Sequence, residues 1–213
     1  MGEESIDAVL EAHRRARFDL SGGNLCLDFA NTLDHRPSEH PTELLVSYNA
    51  LLHFAEDAGM IEPRLKSRLV ERAYLQEKES QHTLEAAITL REAIYQIFWA
   101  IMNKKPVPPL ALAQLNGAVQ YAGEHSQLMQ KGSRFAWSFD ELGGFDVVLW
   151  PIARAAADLL TSDQLPYIHA CSSKSCQWLF LDTSKNHRRR WCDMKVCGNR
   201  AKARKFYSRA KQD

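Results

Sequence analysis

Four of the five cysteines sit near the carboxy terminus as two equally spaced pairs, Cys171 with Cys176 and Cys192 with Cys197, four residues inside each pair and fifteen between them. Two such pairs are the pattern of a four-thiolate metal site, although two intervening residues are the commoner spacing. Disulfides are the alternative, and they need an oxidising compartment. The chain starts Met1-Gly2-Glu3-Glu4-Ser5-Ile6, acidic where a secretory signal is basic, so a cytoplasmic location is expected. No apolar run approaches the roughly 18 residues a membrane span needs. The reading is therefore zinc. Four thiolates fill its tetrahedron and leave no position to activate water, so the metal is structural. In small zinc peptides the metal supplies on the order of 10 kcal/mol of folding energy, which the few apolar residues of a 43-residue segment do not replace.

Charge divides the chain at the same place. Over the whole sequence 27 Lys and Arg face 26 Asp and Glu, yet residues 171–213 hold twelve cations against three acids, a net +9, and the first 170 residues carry a net −8. A basic terminus on an acidic body points to a polyanion as partner. Residues 177–191 begin apolar (Gln177-Trp178-Leu179-Phe180-Leu181), pass through Asp182-Thr183-Ser184 and become basic. This reads as a hairpin that presents Lys185, His187, Arg188, Arg189 and Arg190 near its tip and returning strand. After Cys197 a helix is expected. Ala203, Phe206 and Ala210 form its narrow packing stripe, flanked by Arg200, Arg204 and Lys211 on one side and Lys202, Lys205 and Arg209 on the other. Asn199, Arg200, Lys202, Arg204 and Lys205 join the loop residues as candidate contacts to double-stranded DNA, since the guanidinium fork suits phosphate and the guanine edge and a helix fits the major groove. An RNA or an acidic protein is the other partner such a surface fits.

Three runs carry a family resemblance: Trp178-Leu179-Phe180-Leu181-Asp182-Thr183-Ser184, then Arg189-Arg190-Trp191-Cys192, then Cys197-Gly198-Asn199-Arg200-Ala201-Lys202. They resemble the CGNR zinc finger of bacterial proteins. Leu25-Cys26-Leu27-Asp28-Phe29-Ala30-Asn31-Thr32-Leu33 is similar to the start of the accompanying ABATE domain. The resemblance implies a stress-related transcription regulator, with Cys171, Cys176, Cys192 and Cys197 as zinc ligands and the finger as DNA reader. Lys185-Asn186-His187 departs from the more Arg-rich stretch of that pattern.

The expected fold is mainly α: a helical domain over 1–166 with a small β element, then a treble-clef-like four-cysteine finger, a β-hairpin plus helix, over 167–213. Leu90, Ile94, Ile97, Phe98 and Ile101 mark the surest helix. Others are expected over 25–33, 42–58, 64–77, 110–121 and 148–160, with Pro151 in the first turn of the last or kinking it. Residues 134–139 alternate as a strand does, and 167–170 fit a small sheet. A body of this size on a DNA reader is expected to sense a small ligand or to dimerise. Candidate ligand contacts are Asp28, Asn31, His35, Arg36, Arg91, Trp150 and Arg154, polar or aromatic residues on apolar segments; a helix cap or an ion pair is the plainer role for each. Cys26 fits a small buried hydrophobe. His35, His40, Glu39 and Glu43 offer metal-binding side chains in a stretch that also fits a solvated loop. No nucleophile-elbow, zinc-protease, P-loop or dinucleotide motif occurs, so no enzyme is expected, an enzyme residing in the helical body being the remaining alternative.

Overall fold

The computed structural model describes residues 18–139 and 143–209. Its centre is a long helix, α4 (Glu77–Met102), about 39 Å at 1.5 Å per residue. Leu90, Ile94, Ile97 and Phe98 are buried along it as their period requires, and Arg91, Ala93 and Tyr95 are buried too, because partners pack on more than one face. Those partners are α1 (Leu25–Ala30), α2 (Tyr48–Asp57), α3 (Pro63–Leu75) and α5 (Pro109–Glu124). Helix α6 (Trp150–Leu160) lies against α5 and α1, and Pro151 sits in its first turn, where its missing N–H costs nothing. At six residues α1 is too short to hold alone. Asn24 caps it, its side chain accepting from the Cys26 N–H at 3.1 Å, and the core encloses Cys26, Leu27, Phe29 and Ala30. Burial pushes the Cys26 thiol pKa up, in keeping with an inert hydrophobe.

Two helical expectations end early. The helix over 25–33 stops at Ala30, and Leu33–Asp34 (β1) pairs antiparallel with Thr42–Glu43 (β2), so the helix expected from residue 42 starts only at Tyr48, where the Ser47 side chain accepts from the Ala50 N–H at 3.1 Å. That small ribbon is pinned to α4 by charge. Arg91, 2 % exposed, makes two hydrogen bonds to Glu43 at 2.5 and 2.8 Å and one to Glu92 at 2.9 Å. Arg36 reaches the same Glu92 at 2.8 Å and lies over the Tyr95 ring at 3.7 Å. Arg134–Phe139 (β4) is the expected strand. Its partner Ser126–Lys131 (β3) has no alternation to announce it, and the two-residue turn turns on Gly132 at φ +63.

The last ribbon joins body to finger. Ile168–Ala170 (β5) pairs with Leu179–Leu181 (β6), and the first cysteine pair lies in the turn between them. The hairpin expected within 177–191 is therefore displaced: those residues supply one strand, its partner precedes Cys171, and 182–193 return as an irregular loop. Successive side chains of a strand face opposite ways. Leu179 and Leu181, with Ile168, enter the core of the helical body, while Trp178 and Phe180 pack with the four cysteines. One strand thus contributes side chains to both cores. Helix α7 (Asn199–Arg209) closes the chain. Its expected packing stripe is not packed: Ala203 is exposed and Phe206 is 70 % exposed, because α7 packs chiefly against the Met194–Gly198 turn that precedes it. Ala210 and Lys211 lie outside the described residues. None of the described helices is long and apolar enough to cross a membrane.

Candidate metal centre

The four sulfur atoms of Cys171, Cys176, Cys192 and Cys197 lie within 4.8 Å of one another, and all four residues are buried. Cys176 Sγ is 3.6 Å from Cys192 Sγ, which is 3.7 Å from Cys197 Sγ. A disulfide needs about 2.05 Å. A zinc tetrahedron with Zn–S near 2.3 Å needs sulfurs about 3.8 Å apart, so the spacing fits the metal and not the bridge. Hydrogen bonds from Cys176 and Cys192 pull the Cys171 thiol pKa down, and the bond to Cys171 in turn pushes Cys176 and Cys192 up. Burial raises Cys197 as well. Four thiolates this close require a cation among them.

Backbone hydrogen bonds hold each pair open. In the first, the Cys171 N–H donates to the Trp178 carbonyl (2.8 Å) and the Cys176 N–H to the Ser173 carbonyl (3.1 Å), with Gln177 at φ +58 turning the chain into β6. In the second, Asp193 caps the wide turn Met194–Gly198: Oδ1 accepts from the N–H of Lys195 and, at 3.0 Å, of Val196. The two pairs are tied together by Ser172 N–H donating to the Arg190 carbonyl at 2.8 Å.

Asp182, buried in the basic loop and not singled out by its sequence position, organises that loop. It accepts from the N–H of Ser184 (2.9 Å) and of Arg189 (2.7 Å), and its own carbonyl is 2.9 Å from His187 Nδ1. Burial works against its charge, but these donors prevail and hold its pKa below the usual carboxylate range. A lone acid inside a cationic run was the available signal. His187, at φ +46, is stacked on Tyr167 at 4.0 Å.

Arg189 departs from the role expected of it. Its guanidinium donates to the carbonyls of Trp191 (2.9 Å), Ser21 (3.1 Å) and Cys192, and lies 4.5 Å from the Phe180 ring centre. It ties the second pair to the body and has little left for a partner. Lys185, Arg188, Arg190, Asn199, Arg200, Lys202 and Arg204 are exposed, and the cations among them make no salt bridge with the described residues. The side chain of Lys205 lies outside the described ones.

The amino-terminal run 23–163 matches the family model ABATE, described as "Putative stress-induced transcription regulator". The chain belongs to the ABATE family. Residues 168–210 match the CGNR zinc finger. No curated protein matches the chain. Zinc is the finger's metal, and this ABATE protein carries it on the four cysteines that the spacing indicated.

The expected ligand contacts do not converge on one pocket. Asn31, 2 % exposed, pairs with the backbone of Leu179: Nδ2 donates to its carbonyl at 2.9 Å and Oδ1 accepts from its N–H at 2.8 Å. Asp28 accepts from the Gly22 N–H at 2.7 Å, and Gly22 in turn accepts from the Leu181 N–H at 2.8 Å. Burial first, and Asp19 nearby, push the Asp28 pKa up to about 7 against the Gly22 hydrogen bond. These two side chains hold the finger on the body; Arg91 and Arg36 are consumed by Glu43 and Glu92. Arg154 pairs with Asp158 at 2.9 Å over the Trp137 ring. His35, at φ +53, has its Nδ1 3.2 Å from an Asp34 carboxylate oxygen and lines a cleft of about 160 Å³ beside the cysteines. Only Trp150 lines a larger cavity. Glu43 is taken up by Arg91, and the cysteine set is the one metal-binding cluster among the described residues.

Proposed function

We propose that this ABATE protein is a transcription regulator whose zinc-ordered finger grips double-stranded DNA through Lys185, Arg188, Arg190, Arg200, Lys202 and Arg204, while the helical body senses a small ligand or dimerises. One observation carries the DNA part: Lys185, Arg188, Arg190, Arg200, Lys202 and Arg204 stand exposed while the two described acids of the finger are hydrogen-bonded to its own backbone. Asp182 serves the N–H groups of Ser184 and Arg189, and Asp193 caps the Met194–Gly198 turn, so neither neutralises the surface. Zinc would hold the two cysteine turns together, fixing the 182–190 loop relative to α7. Arginines there would meet phosphates, and α7 is free to enter a groove.

Fluorescence anisotropy of the zinc-loaded protein on a duplex library at 50 and 200 mM salt tests the reading. If six cations meet phosphates, log affinity falls with log salt at a slope of roughly −5. A preferred sequence that survives the higher salt supports regulation; equal affinity for every duplex overturns it. Exposed Phe206 and Tyr207 on α7 favour a second reading, stacking of unpaired RNA bases. Single-stranded RNA outcompeting duplex in the same titration selects that reading. Light scattering from 1 to 100 μM protein separates a dimerising body from a monomeric sensor.

A further inference from the structure

A cavity of about 500 Å³ opens between α4, α5 and the start of α6. That size suits a small organic ligand. Leu90, Leu149 and Trp150 form its buried apolar floor, and Tyr121 stands at its exposed rim, its ring centre 6.3 Å from that of Trp150 and steeply inclined to it. The indole N–H of Trp150 is buried without a hydrogen-bond partner among the described residues.

Charge in the cavity has one sign. Glu85 and Asp146 line it, no lysine or arginine does, and neither carboxylate has a cationic partner within salt-bridge distance among the described residues. Asp146 lies beside the Tyr121 hydroxyl, and Glu85 meets Gln81. Arg72 approaches the Asp146 turn, but it bonds the Gly143 carbonyl at 3.2 Å and covers the Phe145 ring at 4.8 Å. His82 is the one lining residue able to become a cation. An anionic ligand meets repulsion here. A cation meets two carboxylates and the Tyr121 ring, an apolar body attached to it covers the floor, and the face of Trp150 on which His125 stacks at 4.5 Å is already occupied.

We propose that this cavity is the body's ligand site and that it takes a small organic cation with an apolar body, an alkyl- or arylammonium. The inference rests on reading the body as a sensor and gives that sensor its ligand class. Isothermal titration of the full-length zinc-loaded protein with benzyltrimethylammonium, against neutral benzyl alcohol and anionic phenylacetate, tests it. The expected result is saturable one-site binding of the ammonium, about tenfold or more tighter than either control. Glu85→Gln with Asp146→Asn brings the ammonium down to the affinity of benzyl alcohol, and Ala118→Leu, which fills the cavity without changing charge, removes all binding. Absence of saturable ammonium binding, equal binding of a control, or a preference that persists in the double variant overturns the assignment. DNA affinity of the same samples without probe is measured separately. Intact DNA binding without ammonium binding sinks this site alone, and the reverse sinks the regulator reading alone.

Discussion

Asn31→Ala is the perturbation that isolates how the finger is held. In the β5–β6 ribbon, Cys171 N–H bonds the Trp178 carbonyl and Asp182 N–H bonds the Tyr167 carbonyl, so the residues between, Leu179 and Leu181, turn their backbone groups toward the free edge of β6. Leu181 N–H finds the Gly22 carbonyl, and Leu179 finds both halves of the Asn31 amide at 2.8 and 2.9 Å. Leu179 is fully buried, so alanine leaves an N–H and a carbonyl without partners in the core. At about 1–3 kcal/mol for each orphaned group the loss is about 2–6 kcal/mol, a large share of the 5–15 kcal/mol that holds a typical domain. A water entering the space left by the amide brings the figure toward the lower end. Asn31→Asp keeps the acceptor but puts an oxygen where Nδ2 faces the Leu179 carbonyl. It is expected to cost at least as much at pH 7.5 and to recover part of the loss at pH 5.5, where protonation restores a donor. Urea unfolding of the zinc-loaded proteins at both pH values, each compared with wild type at the same pH, reads these differences. A cost below about 1 kcal/mol for alanine, or an aspartate deficit that ignores pH, refutes the edge-pairing argument.

Asp28→Asn tests the buried carboxyl. With its pKa raised from 3.8 to about 7 by burial, the folded protein holds a proton that the unfolded chain releases, so stability is full below pH 4 and falls as pH rises toward 7, by an upper bound on the order of 4 kcal/mol. The Asn variant, which keeps an acceptor for the Gly22 N–H, should flatten that fall; an unchanged slope in urea melts at pH 5 and 8 contradicts the assignment. Cys192→Ala should lower bound zinc below one equivalent in elemental analysis and expose Trp178 and Trp191 to fluorescence quenching by acrylamide, with full zinc retention the contrary outcome. Arg189→Ala and Arg200→Ala should part company. The first loses three carbonyl contacts and is expected to destabilise by about 2–3 kcal/mol in melts, while the second keeps wild-type stability and loses DNA affinity by about tenfold at 100 mM salt. Equal melting temperatures for the two would undo that division. Arg91→Ala, which strands Glu43 while Arg36 still holds Glu92, should lower stability by about 3 kcal/mol, less at pH 4 where the Glu43 carboxylate begins to protonate.

What the sequence makes legible follows from how local each signal is. Four cysteines at fixed spacing name their own chemistry, because thiolate coordination needs only that the sulfurs can meet. The 90–101 stripe names its helix because burial imposes the period directly. Pro151 falls in a first turn, as one of its two expected roles required. β3 stayed hidden because Ser126–Lys131 is paired on a ribbon whose side chains are largely exposed, so no burial pattern marks it. The hairpin was misplaced for a related reason. β6 is paired with residues on the far side of the first cysteine pair, and the basic run that followed it in sequence offered cations but no alternation to form a returning strand.

The ligand candidates failed in an instructive way. Asp28, Asn31, Arg36 and Arg91 were singled out because polar groups on apolar segments demand partners, and that inference holds: each has one. The sequence does not show that the partners lie within the chain, because Asn31 meets a backbone 148 residues away and Arg91 a carboxylate 48 residues away. Arg189 carries the same lesson in the finger, since its neighbours in sequence are exposed cations while its own guanidinium is bound to carbonyls of the second cysteine turn and of Ser21. The cavity beside Trp150 is drawn from three helices and a turn, and each of its polar groups is ordinary on a solvated helix face. Only their convergence gives them a common electrostatic sign, and convergence is a property of packing.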